Sequence, residues 1–65
     1  MKKSLKEIMN EATDIYVAAL TEKDSNKARF LRDKAILVGM SAYKNLTEKN
    51  VERAIKGIIV GRNKS

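Results

Sequence analysis

The sequence predicts an all-α fold: a compact three-helix domain, built as an antiparallel helical hairpin plus a third packed helix, that dimerises. Three observations carry this expectation. The 65 residues contain no Pro, and Gly stands only at 39, 57 and 61, so little opposes helix. Apolar residues recur at spacings of three and four in three separate segments. Each segment also opens on residues suited to cap a helix.

The first helix is expected over about residues 4–21. It opens with Ser4-Leu5-Lys6-Glu7, a capping box in which Ser4 accepts from the Glu7 N–H and Glu7 reaches back to the Ser4 N–H. Leu5, Ile8, Met9, Ala12, Ile15, Tyr16, Ala19 and Leu20 then fall on one face at about 100° per residue. Thr21 to Asn26 contains no apolar residue and reads as a turn, with Asp24 or Ser25 capping the second helix.

The second helix is expected over about 26–45. Its main stripe is Ala28, Leu31, Ala35, Val38 and Ala42, leading to Leu46. From Ala35 onward a second apolar side appears, made of Ile36, Leu37, Met40 and Tyr43. A helix apolar on most of its circumference is a buried one, so this side is expected to meet another helix or a second subunit. Ala35, Gly39 and Ala42, with Ala28 before them, form a strip of small residues that lets helices approach.

Gly39 followed by Met40-Ser41 invites a helix-turn-helix reading, with Leu31 to Val38 as first helix and Ser41 to Asn50 as recognition helix. That reading fails, because Asn45 and Glu48 would occupy inner positions that need apolar residues. The apolar stripe also passes through Gly39 without a change of phase, so Gly39 is expected inside one continuous helix.

The third helix is expected over about 47–60. Thr47 is its N-cap, Glu48 suits the positive end of its dipole, and Leu46 with Val51 occupies the hydrophobic-staple positions. Val51, Ala54, Ile55, Ile58 and Ile59 form its stripe, Gly61 reads as the stop, and residues 61–65 as a frayed basic tail. The expected core is therefore Leu5, Ile8, Ala12, Ile15, Tyr16 and Ala19 from the first helix; Leu31, Ala35, Val38 and Ala42 from the second; then Leu46, Val51, Ile55 and Ile58.

Composition narrows the function classes. With no Cys there is no disulfide framework, zinc knuckle or thiol nucleophile, and with no His the commonest general base and metal ligand is missing. Glu7, Glu11 and Asp14 are spaced as helical neighbours, but they lie opposite the apolar stripe, where nothing desolvates them. They read as a solvated acidic face. The three Gly make no phosphate loop. The expectation is a non-enzyme with no catalytic residues, no metal, no cofactor and no small-molecule substrate. The longest uninterrupted apolar run, Ile15 to Leu20, is far short of a bilayer span. Lys2, Lys3 and Lys6 are basic, but the acidic residues just after them argue against an anionic membrane surface. A cytoplasmic location is the expectation that fits.

Two binding functions remain. The favoured one is a small regulatory or adaptor protein that binds a protein partner through a helical surface, as a homodimer. A chain of about 60 residues buries only about 60% of its unfolded surface, so self-association is a natural support. Ile36, Leu37, Met40 and Tyr43 are the candidate interface, with Met40 and its fellow methionines Met1 and Met9 suited to adaptable packing. The alternative is a nucleic-acid-binding regulator. Fourteen Lys and Arg against eight Asp and Glu leave a net charge of +6. Lys49, Arg53 and Lys56 form a single-sign stripe on the third helix, and Arg29 and Arg32 are neighbours on the second.

Overall fold

A computed structural model describes residues 3–42 and 46–64. Three helices succeed one another: α1 (Leu5–Thr21), α2 (Ser25–Ala42) and α3 (Glu48–Lys64), with no strand among the described residues. Most interhelical contact lies between α1 and α2, and α3 touches both more sparingly.

Side chains set the helix ends. Ser4 Oγ accepts from the Glu7 N–H at 3.2 Å. The Glu7 carboxylate accepts the Ser4 hydroxyl proton at 3.2 Å, the return arm of the expected box going to the side chain. At the far end the Thr21 hydroxyl donates back to the carbonyls of Ala18 and Val17. Glu22 is extended and its N–H returns to Ala19 O. Asp24 is the cap of α2: its Oδ1 accepts from Asn26 N–H at 2.9 Å and from Lys27 N–H at 3.3 Å. Thr47 caps α3 by accepting from Asn50 N–H at 3.3 Å. The expected end of the second helix, at 45, lies outside the described residues.

α3 departs from expectation at its end. It runs through Gly61 to Lys64, and Gly61 has no positive φ, so it does not form the left-handed stop that a C-terminal glycine commonly makes. The Arg62 guanidinium reaches α1 and donates to Asp14 Oδ1 at 2.9 Å, which ties the last turn down. Arg62 and Lys64 also suit the negative end of the helix dipole.

Ala12, Ala35, Val51 and Ile55 are fully buried, and Met9, Tyr16, Ala19 and Ile36 nearly so. Gly39 is the point of closest approach. A Cβ built there would stand 2.5 Å from Val51 Cγ1, 3.7 Å from Met9 Sδ and 3.9 Å from Ala12 Cβ. All three helices therefore meet at a residue with no side chain. Thr13 is buried too, and its hydroxyl is satisfied by Met9 O at 2.7 Å.

Several expected core positions sit differently. Leu5 is 51% exposed, because it lies in the first turn of α1, a full turn before Met9 where the packed layer begins. Ile15, Val38, Ala42, Leu46 and Ile58 are half-buried against the core, and Ile8 and Leu31 are half-buried as well. Met9 and Ile36 take central places instead.

Candidate binding surfaces

The expected interface on α2 does not form one surface. Ile36 is buried in the core with Val51 and Ile55, because α3 packs on that side of α2. Met40 is half-buried against the same core. Tyr43 lies outside the described residues. Of the four, Leu37 is the one that stands out, at 67% exposed.

Leu37 has a companion that periodicity does not single out. Phe30 is 68% exposed and lies seven residues earlier, two turns along the same side of α2. At about 100° per residue, Phe30 and Leu37 point directly away from the strip of Ala35 and Gly39 that faces the core. Phe30 also borders a shallow apolar depression of about 390 Å³ with Glu22, Asn26, Lys27 and Leu31. The signal in the sequence is the i, i+7 spacing of two large apolar residues off the main stripe.

Asp33 and Lys34 flank this pair. Three and four residues on from Phe30, they fall about 60° to one side and about 40° to the other. Both are exposed, and neither is ion-paired with a described residue.

The expected cations divide between α2 and α3. Arg29 and Arg32 line one depression on the α2 side, together with Tyr16, Lys23 and Asp33. Arg32 Nε lies 3.8 Å from Glu52 Oε2, which brings it against α3. On α3, Lys49, Arg53 and Lys56 stand three before, one after and four after Glu52, and all three are exposed. They point away from Val51 and Ile55. Arg32 thus reaches α3 through Glu52, Arg29 lines the groove between α1 and α2, and Lys49, Arg53 and Lys56 face outward along α3.

Glu52 anchors this region. It is partly buried, and its Oε2 accepts the Tyr16 hydroxyl at 2.9 Å as well as facing Arg32. Burial pushes the Tyr16 hydroxyl above its ordinary range, and the Glu52 carboxylate pushes the same way against a smaller opposing pull from Arg32.

Glu7, Glu11 and Asp14 lie exposed on α1, as expected. Glu11 pairs with Lys3 at 2.6 Å and Asp14 with Arg62 at 2.9 Å. The Glu11 contact holds the Lys3 ammonium above its usual range. Among the described residues no group of three or more carboxylates is arranged to hold a metal ion, and no helix is long and apolar enough to cross a membrane.

Compared with known proteins, the chain matches no family model, no curated protein and no solved structure.

Proposed function

We propose that this chain is a small non-enzymatic regulatory or adaptor protein, and that it works by protein binding through the outer face of α2. One observation carries the reading: Phe30 and Leu37 are about two-thirds exposed, two turns apart, on the side of α2 turned away from Ala35 and Gly39. Large apolar residues repeated at i and i+7 are the anchors by which a helix face seats on a partner.

The occupant we propose is a second copy of the chain, α2 against α2. Flanking charges select the arrangement. A two-fold axis running parallel to α2 sets Asp33 of one copy opposite Lys34 of the other, while Phe30 meets Phe30 and Leu37 meets Leu37. An antiparallel pairing sets Asp33 against Asp33 and Lys34 against Lys34, which is unfavourable. A seam of two 18-residue helices lies at the small end of interface sizes. Association on the order of micromolar is expected.

Sedimentation equilibrium tests this. The expected result is a monomer–dimer equilibrium in the micromolar range that becomes monomeric in the Phe30→Asp, Leu37→Asp double variant, with helicity by circular dichroism unchanged. A parent chain that stays monomeric to millimolar concentration would sink the self-association, as would a dimer indifferent to both substitutions.

A further inference from the structure

We infer that the chain carries a second binding surface, separate from the outer face of α2, in which Lys49, Arg53 and Lys56 of α3 hold the phosphate backbone of duplex nucleic acid. The charge of the molecule is polarised between its helices. α2 and α3 carry nine Lys and Arg against three carboxylates, whereas α1 carries one Lys against three carboxylates.

Fold geometry explains why these cations are free to act. Glu52, which lies between Lys49 and Lys56 in the sequence, is engaged by the Tyr16 hydroxyl and Arg32, and Glu48 stands exposed beside Lys49. Lys49, Arg53 and Lys56 are exposed and make no ion pair with a described residue. A stripe on one straight helix reaches successive phosphates without needing a shaped pocket.

The same surface argues for a double strand over a single one. Binding of unpaired bases relies on exposed aromatic rings for stacking. Among the described residues, Tyr16 is buried with its hydroxyl committed to Glu52, and Phe30 lies on a different side of α2. What remains is sequence-independent contact with the backbone.

Fluorescence anisotropy with a 20-base-pair duplex of mixed sequence, titrated with salt, tests the inference. Three phosphates neutralised give a slope of log K on log salt of about −2.7. Lys49→Glu with Arg53→Glu is expected to weaken binding at least roughly tenfold and to make the slope shallower by about two. Glu52→Gln is expected to tighten binding, by roughly twofold, because it removes a carboxylate from inside the cationic group. Lys6→Glu on α1 changes the net charge as much as Lys49→Glu and is expected to leave affinity within about twofold. Equal losses from Lys6→Glu and Lys49→Glu would overturn the inference, because net charge alone would then explain binding. A duplex bound no better than polyglutamate would also overturn it and point to an acidic protein segment. So would a slope shallower than about −1, or a weaker Glu52→Gln variant. None of these outcomes bears on the α2 seam, whose test is the oligomeric state.

Discussion

α2 and α3 differ on both their inner and outer sides. α2 presses small residues, Ala35 and Gly39, into the centre and leaves Phe30 and Leu37 outside. α3 presses Val51 and Ile55 inward and leaves Lys49, Arg53 and Lys56 outside. α2 is held by close backbone approach to its neighbours. α3 is held by its two buried side chains and by polar ties at either end, Glu52 to Tyr16 and Arg32 and Arg62 to Asp14. Both helices are amphipathic, but the lock on α2 depends on the absence of atoms, and the lock on α3 on their placement.

Gly39→Ala should break the first lock with the largest effect. The added methyl meets a fully buried, branched Val51 at 2.5 Å, so the core must shift. A net loss of about 1–2 kcal/mol is expected once the better helix propensity of Ala is allowed for, read from urea denaturation. Gly57→Ala is the control with opposite sign. Nothing lies within 4 Å of a Cβ there, so it should stabilise by about 0.5–1 kcal/mol. If the two glycines respond alike, close approach at Gly39 is not what holds α2.

Tyr16→Phe probes a tie on α3 and should cost about 1 kcal/mol. It also carries a pH signature. The folded-state pKa of Tyr16 is raised above the ordinary value of 10.0, so its neutral form is favoured in the native state. That contribution is fully present below pH 10 and is lost as pH rises through the raised folded value. The difference in stability between parent and Tyr16→Phe should therefore be flat at neutral pH and shrink above pH 10. A difference that does not change with alkaline pH would mean that neither burial nor Glu52 disfavours the ionised hydroxyl in the fold.

The smallest effect belongs to the outer face of α2. Asp33→Lys should weaken the proposed seam by under about 1 kcal/mol, and Asp33→Lys with Lys34→Asp should restore it, measured as dimer dissociation. Restoration supports the parallel arrangement. A double variant as weak as the single one would rule out that arrangement.

Much of the scaffold is legible in the sequence. Ser4, Asp24 and Thr47 announce the helix starts because capping is a local event, settled within three residues. The unbroken stripe through Gly39 announces close packing. The interface is misjudged at Ile36, because periodicity shows that a helix has two apolar sides but not which one α3 will cover. Leu37 is legible, and Phe30 escapes notice because it belongs to neither stripe. The end of α3 misleads for another reason: Gly61 looks like a stop, and what overrides it is Arg62 meeting Asp14, forty-eight positions away in the chain.

The position of α3 has a kinetic consequence. Glu52 and Arg62 are ten residues apart, a rise of roughly 15 Å along α3, yet they reach Tyr16 and Asp14 within a single turn of α1. α3 therefore lies across the hairpin, joined to it by less extensive contact than joins α1 to α2. Its backbone amides are therefore expected to exchange with solvent deuterium sooner than those of α1 and α2, as residue-resolved hydrogen exchange would read. A ligand gripping α3 while it stays seated would slow that exchange selectively, which makes protection of this one helix a direct report of what the molecule has bound.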